Sequence, residues 1–100
     1  MPQLTLRLAA RAERDIARLY AFLRTKDSNA AKRALQAIRA AFQALARARL
    51  IGRPVEDSTD LRELVVDFGA SGYLALYRFE SHLNSVTILA IKHQLEDDYK

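Results

Sequence analysis

Hydrophobic and polar residues repeat with two different periods along this chain, and the two periods predict a sheet and a pair of helices. Gln3–Leu8 alternates strictly, with its leucines on one side, so we predict a strand with one face solvated or at a sheet edge. Ala10–Thr25 repeats its apolar residues at helical spacing. A second helix is predicted from N-cap candidates at Asp27–Asn29 to about Arg49. Because the link between the two predicted helices is so short, we predict that they form an antiparallel helical hairpin.

The second half of the chain predicts strands only. A polar loop at Ile51–Asp60 precedes three strand patterns, which are Leu61–Phe68, Tyr73–Glu80 and Val86–His93. The last of these is nearly all apolar and β-branched, so we expect a central strand that is buried on both faces. Gly69–Gly72 and Ser81–Ser85 are predicted as hairpin turns, and the acidic tail Gln94–Lys100 as a short or mobile end. The predicted order is β-α-α-β-β-β, an α+β fold in which a helical hairpin packs on a mainly antiparallel sheet.

Composition narrows the class of protein. The chain has 100 residues, of which 50% are hydrophobic and 28% charged, which indicates one globular domain spanning residues 1–100. It has no cysteine, which excludes disulfides, thiolate zinc sites and a cysteine nucleophile, and its two histidines lack metal-ligand spacing. We therefore expect no metal and no cofactor. No signal peptide or membrane-spanning run is recognisable, so we expect a cytoplasmic protein without a membrane partner.

Charge is distributed unevenly along the sequence. Residues 1–53 contain twelve Lys and Arg against three Asp and Glu, whereas residues 54–100 contain four against nine. A basic half of this kind indicates an anionic partner, either nucleic acid or an acidic protein segment, and a solvated arginine-rich helix face explains it equally well.

Several short motifs, in their order, carry a family resemblance. They are Ala12-Glu13-Arg14-Asp15-Ile16, Ile51-Gly52-Arg53-Pro54-Val55, Leu61-Arg62-Glu63-Leu64, Tyr73-Leu74-Ala75-Leu76-Tyr77-Arg78 and Ile88-Leu89-Ala90-Ile91-Lys92-His93-Gln94. On these the chain resembles toxins of the RelE/ParE superfamily of bacterial type II toxin–antitoxin systems, over nearly its whole length. The resemblance implies a cognate antitoxin, with operator DNA bound only through that antitoxin. It leaves open a RelE-like toxin that cleaves mRNA on the ribosome, a ParE-like toxin that inhibits DNA gyrase, and an inactive member that only binds its antitoxin.

RNA cleavage through the 2′-hydroxyl needs a base, an acid and cations that stabilise the charge on the phosphate. The ribonuclease branch implies Glu56 as a loop carboxylate, Arg62 as a strand arginine and His93 at the end of the last strand. The residue after His93 is Gln94, where that branch has a tyrosine, and glutamine has no proton to give at neutral pH. A structural hydrogen-bonding role is the alternative reading of His93, and Glu56 is equally explained as a solvated loop residue.

The Gly-Arg-Pro loop and the His93-Gln94 ending are more similar to the ParE-like branch, so we predict that the toxin acts on gyrase by binding and is not an enzyme. The predicted target-binding residues are Arg53, Arg62 and Arg78. An antitoxin segment is expected to cover apolar surface between the helices and the sheet as a helix or an added strand. The candidates for that surface, or for the core, are Leu19, Leu23, Leu35 and Phe42.

Overall fold

The computed structural model describes residues 4–55, 60–96 and 99, and it contains two α-helices and five strands. In chain order the elements are β1 (Thr5–Leu8), α1 (Ala10–Lys26), α2 (Ser28–Arg47), β2 (Arg53–Pro54), β3 (Leu61–Val66), β4 (Tyr73–Glu80) and β5 (Ser85–His93). The predicted α+β fold is confirmed.

All five strands form one sheet in the order β1-β5-β4-β3-β2. Neighbouring strands are antiparallel except β1 and β5, which are parallel because the two helices carry the chain from one edge of the sheet back across it. β1 is an edge strand and β5 is a central one, as predicted. The sheet is therefore mixed but mainly antiparallel.

Both helices lie on one face of the sheet, and the core lies between the two layers. The buried residues of β4 and β5 that face the helices include Tyr77, Val86 and Ile88, none of which is exposed to solvent. Ala12 and Ala31 are also fully buried, and these small side chains allow the two helices to approach closely. We refer to the side of the sheet beneath the helices as the covered face and to the other side as the open face.

A single residue joins the two helices. The backbone N–H of Asp27 donates to the Leu23 carbonyl at the end of α1, and its carboxylate accepts from the N–H groups of Asn29 and Ala30 at the start of α2. One side chain thus caps the second helix while its backbone ends the first, which confirms the N-cap expected from the sequence.

Several boundaries differ from the prediction by one or two residues, and three of the differences have a clear structural cause. α2 ends at Arg47 because Ala48 leaves the helical conformation. The carbonyl of Arg49 then accepts a hydrogen bond from the Tyr77 hydroxyl of β4. Arg53–Pro54, predicted as loop, forms the short strand β2 by pairing with Arg62 and Glu63 of β3. β3 ends at Val66, two residues early, because the chain turns through Gly69 with a positive φ of 62°.

Among the described residues, no helix combines the length and the apolar character that crossing a membrane requires.

Candidate functional site

Strand register divides the candidate residues between the two faces of the sheet. Arg62 is paired with Tyr77 and His93 with Tyr73, on the covered face. Arg53 is paired with Glu63, and Arg78 lies two positions along β4 from Leu76, the partner of Glu63, on the open face. Because side chains alternate along a strand, this assignment follows from the pairing alone. The three arginines predicted to bind a target therefore do not share one face.

Arg62 holds the loop that connects α2 to β2. Its guanidinium Nη1 donates to the carbonyl oxygens of Gly52 at 2.6 Å and Leu50 at 3.4 Å, and the residue is half-buried. A guanidinium in this position satisfies carbonyls that have no partner in a helix or strand. Arg62 is therefore engaged with the protein's own backbone.

Tyr77, on the covered face of β4, binds the same loop. Its hydroxyl donates to the Arg49 carbonyl at 2.7 Å and accepts from the Gly52 N–H at 3.0 Å. Burial raises the pKa of the Tyr77 hydroxyl above its usual 10.0, and the Gly52 N–H offsets part of that rise. Gly52 approaches so closely that a Cβ would lie 2.6 Å from the Tyr77 ring and 2.8 Å from the Glu63 carbonyl. This close contact accounts for glycine at the position.

His93 is also part of an internal network. Its Nδ1 accepts from the Leu95 N–H at 3.1 Å, which places the proton of the neutral ring on Nε2, and Nε2 then donates to the Ser71 hydroxyl at 3.0 Å. The ring also packs edge-on against Tyr73, with centroids 5.6 Å apart. Both ring nitrogens are thus used to join the end of β5 to the β3–β4 turn.

Arg62 and His93 lie far apart on the covered face. Their strand partners, Tyr77 and Tyr73, are four positions apart, and two strand spacings separate β3 from β5. At ~3.3 Å per residue and ~4.8 Å per strand, the two Cα atoms are about 16 Å apart. The third ribonuclease candidate, Glu56, lies outside the described residues. Arg62 and His93 therefore do not contact each other, and each is hydrogen-bonded to a different part of the protein itself.

The open face gathers a different cluster, which we call the Glu63 cluster: Arg53, Glu63, Lys92 and Tyr99. Glu63 accepts from Arg53 Nε at 3.0 Å and also from its Nη2, and it accepts from the Tyr99 hydroxyl at 2.8 Å. The Lys92 ammonium lies 5.0 Å from the centre of the Tyr99 ring. The Glu63 hydrogen bond raises the pKa of the Arg53 guanidinium, which stays charged and largely exposed.

Arg78 lies about 12 Å from Arg53 on the same face, at two residue steps along the strands and two strands across. Its side chain is exposed. Arg53 and Arg78 are thus two exposed basic side chains on the open face, and Leu61 and Glu63 of β3 lie between their strands.

Two apolar grooves flank the helices. The first, of about 560 Å³, lies between α1, the β3–β4 turn and the end of β5, and includes Leu19 and Leu23. The second, of about 460 Å³, lies between β1, α1 and α2, and includes Leu35 and Phe42. Leu19 and Phe42 are 7% and 8% exposed and belong mainly to the core, whereas Leu23 and Leu35 are half-buried in the groove walls.

Sequence reasoning missed the structural part played by Asp15. Its carboxylate is almost buried, accepts from the Ile91 N–H at 3.0 Å and lies 3.6 Å and 3.8 Å from the guanidinium groups of Arg11 and Arg18. It ties α1 to the backbone of β5. The signal in the sequence is an acidic residue among the apolar positions that repeat along α1.

The contact of Tyr99 with Glu63 was also not predicted, because a residue in an acidic tail gives no periodic signal of its contacts. Among the described residues, no group of three or more potential ligand side chains is placed to hold a metal ion.

Comparison with known proteins agrees with this fold. The family model of the ParE toxin of type II toxin–antitoxin systems, parDE, matches residues 6–98. Two curated relatives from Caulobacter vibrioides, named Toxin RelE3 and Toxin RelE1, are each 37% identical over 92% of this chain and cover 96% and 95% of their own lengths.

Solved structures show the same fold at lower identity. A chain of the chromosomal ParDE system from P. aeruginosa has a TM-score of 0.74 at 21% identity, covering 91% of this chain and 96% of that one. A chain of the RelBE2 toxin–antitoxin complex from Mycobacterium tuberculosis has a TM-score of 0.64 at 23% identity, covering 93% and 100%.

The fold and these comparisons place the chain among the small α+β toxins of the RelE/ParE superfamily, the toxin components of type II toxin–antitoxin systems. Within that superfamily, the chain belongs to the ParE toxin family.

Proposed function

We propose that this toxin inhibits DNA gyrase by binding it and stabilising the state in which gyrase holds cleaved DNA. The supporting observation is that Arg62 and His93, the two described ribonuclease candidates, are hydrogen-bonded internally and lie about 16 Å apart. A toxin that acts by binding needs no catalytic group. It needs a surface that binds one state of its target more tightly than the others.

The proposed contact surface is the basic part of the open face, with Arg53 and Arg78 as the contacting residues. Both side chains are exposed. Arg78 can form paired hydrogen bonds with carboxylates or phosphates of a partner, and Arg53 offers the part of its guanidinium that does not donate to Glu63. Arg62 is assigned an indirect part: it holds the Leu50 and Gly52 carbonyls and so fixes the loop from which Arg53 projects.

A matched pair of variants tests this surface. Arg7 and Arg78 are both exposed and both pair with Thr87 of β5, from opposite sides. In a gyrase supercoiling assay, Arg78→Ala is expected to raise the half-inhibitory toxin concentration about tenfold, the effect of losing one charge-assisted hydrogen bond. Arg7→Ala, at the far edge of the sheet, is expected to match the wild type. Equal potency of Arg78→Ala and wild type, with both folded, would overturn the assigned surface.

Cleavage of mRNA on the ribosome is the second candidate, and the Glu63 cluster is the observation that favours it. A carboxylate and a tyrosine hydroxyl lie together beside two cations there. In such a reaction the 2′-oxygen attacks phosphorus as a base takes its proton, and the bond to the 5′-oxygen breaks as an acid protonates that oxygen. The RelE names of the two relatives agree with this candidate.

Tyr99→Phe separates the two functions. If the toxin cleaves mRNA through Tyr99, this variant loses cleavage of ribosome-bound mRNA by at least about a hundredfold, the usual size of a general acid's contribution. If the toxin inhibits gyrase, Tyr99→Phe remains toxic and inhibits supercoiling like the wild type.

We also propose that a cognate antitoxin neutralises the toxin by covering the second groove and the adjacent free edge of β1. The groove walls are apolar, and Arg39 at the rim of α2 is exposed, which favours an amphipathic acidic segment. Isothermal titration with the protein encoded by the neighbouring upstream gene measures the affinity. Leu35→Ala is expected to raise Kd about tenfold, a loss of ~1.4 kcal/mol. Leu83→Ala, an exposed leucine in the β4–β5 turn, is expected to leave Kd unchanged.

A further inference from the structure

The exposed side chains of the helical hairpin carry charge of almost one sign. Eight basic side chains on α1 and α2 are exposed, against two exposed acids, Glu13 and Asp27, and the Asp27 carboxylate is occupied in capping α2. We call these eight residues the outer face: Arg14, Arg18, Arg24, Lys26, Lys32, Arg33, Arg39 and Arg47. Of these, Arg18 pairs with Glu96 at 3.3 Å and with Asp15 at 3.8 Å. Nothing in the proposed gyrase or antitoxin contacts accounts for the whole of this surface.

The second helix is the more unusual of the two. Its twenty residues, Ser28–Arg47, contain four basic side chains and no acidic one. Exposed helices ordinarily gain stability from acid–base pairs at four-residue spacing, and α2 has none. Within the described part of the chain, Arg14, Arg24 and Arg33 have no carboxylate at ion-pair distance. The like charges on these helices repel one another, which lowers the stability of the free toxin. Binding of an anionic partner relieves this repulsion.

The chemistry between the charges indicates the kind of partner. The positions that separate the arginines are small or polar, including exposed Ala17, Ala21, Ala40 and Ala44. Among the described helical residues, the one large exposed apolar side chain is Phe22, which faces the first groove. A protein interface is built around buried apolar or aromatic anchors, and single-stranded nucleic acid is bound by stacking on aromatic rings. The outer face offers neither, which leaves the phosphate backbone of a duplex.

We propose that the outer face of the helical hairpin binds the backbone of duplex DNA without regard to sequence. From Arg33 to Arg47, α2 rises about 21 Å, a length over which each strand of a duplex presents about six phosphates. The choice of DNA over duplex RNA rests on the proposed action on gyrase, whose substrate is duplex DNA. The toxin would then contact both gyrase, through the open face, and DNA, through the opposite side of the molecule.

The test measures binding of a fluorescent 24-base-pair DNA to the purified toxin by anisotropy between about 50 and 200 mM salt. The variant Arg33→Gln with Arg47→Gln removes two charges from the outer face and keeps good helix formers. The matched control, Arg7→Gln with Arg49→Gln, removes two exposed arginines that lie outside the outer face and outside the proposed gyrase contact. Thermal unfolding of both variants checks that they fold.

For the wild type we expect Kd in the range of about 1–100 µM at physiological salt, weakening steeply as salt rises. The outer-face variant is expected to bind about tenfold more weakly or worse at 50 mM salt, with a log–log salt slope shallower by about 1.8, and the control is expected to match the wild type.

Equal losses in both variants, or no binding by the wild type, would overturn the proposal, and tighter binding to duplex RNA would overturn the choice of DNA. Each result is independent of gyrase inhibition: a toxin that inhibits gyrase without binding DNA refutes this inference alone, and one that binds DNA without inhibiting gyrase refutes the proposed function.

Discussion

On the covered face of the sheet, Arg62, Tyr77 and His93 direct their polar atoms to groups of the protein itself. On the open face, Arg78 is exposed, and Arg53 has a 64% exposed side chain although two of its nitrogens donate to Glu63. The residue types are similar, but their use differs because the helices exclude water from one side only. A polar group on the covered face needs an internal partner, since an unsatisfied buried group costs about 1–3 kcal/mol. The comparison therefore predicts that covered-face changes alter stability and that open-face changes alter activity.

The largest stability effect is expected for Asp15, which joins α1 to the covered face. Asp15→Ala leaves the buried Ile91 N–H without its acceptor and is expected to lower the free energy of unfolding by about 2–3 kcal/mol. Glu13→Ala, an exposed acid on the same helix, is the control and is expected to change it by less than about 0.5 kcal/mol. Urea unfolding followed by circular dichroism measures both. Similar effects of the two substitutions would mean that the hydrogen bond between the Ile91 N–H and the Asp15 carboxylate contributes little to stability.

Tyr77 and Tyr73 allow a sharper test, because both lie on the covered face of β4, four positions apart. Tyr77→Phe removes two hydrogen bonds from the loop at residues 49–52 and is expected to cost about 1–2 kcal/mol. Tyr73 is equally buried, but its hydroxyl makes no hydrogen bond among the described residues, so Tyr73→Phe is expected to cost much less. Hydrogen exchange at the Gly52 amide should quicken only in Tyr77→Phe. If hydrogen exchange at the Gly52 amide is unchanged in Tyr77→Phe, the Tyr77 hydroxyl does not hold the loop in place.

Buried tyrosines also predict loss of stability in alkali. Burial raises the pKa of both Tyr73 and Tyr77 above 10.0, so the folded state keeps protons that the unfolded chain releases. Stability is therefore fully present below about pH 10 and decreases as the pH rises beyond it. Tyr73→Phe should make the decline shallower. A thermal midpoint that stays constant from pH 9 to pH 11 would refute this assignment.

A smaller stability effect is expected for His93, which also lies on the covered face. His93→Gln removes the ring bonds to Ser71 and Leu95 and is expected to cost about 1 kcal/mol. Because the contacts of this side chain are internal, growth inhibition should persist at a temperature where the variant is folded. Loss of toxicity in a folded His93→Gln protein would favour a catalytic histidine and weaken the distinction between the two faces.

The sequence was sufficient for most of the fold. Two helices and four strands follow from apolar periodicity, and the central position of β5 follows from its unbroken apolar run. β2 was not predicted because two residues are too few to show a period, and it exists through pairing with β3. The end of α2 was misplaced because a distant hydroxyl, that of Tyr77, binds the Arg49 carbonyl.

The candidate site was less accessible to sequence reasoning. Arg53, Arg62 and Arg78 look alike in a linear sequence, and only the register of the sheet separates Arg62 from the other two. The contact between Tyr99 and Glu63 spans 36 residues, and no local pattern records it. Side-chain chemistry was therefore predictable, whereas the grouping of side chains required the fold.

The proposed inhibition of gyrase by binding is tested most directly by a supercoiling reaction with purified gyrase, ATP, relaxed plasmid and wild-type toxin, stopped with detergent and protease. We predict loss of supercoiling together with linear plasmid, because the toxin stabilises the cleaved-DNA state. Full supercoiling in the presence of folded toxin, with no linear plasmid, would contradict the claim and favour cleavage of mRNA on the ribosome.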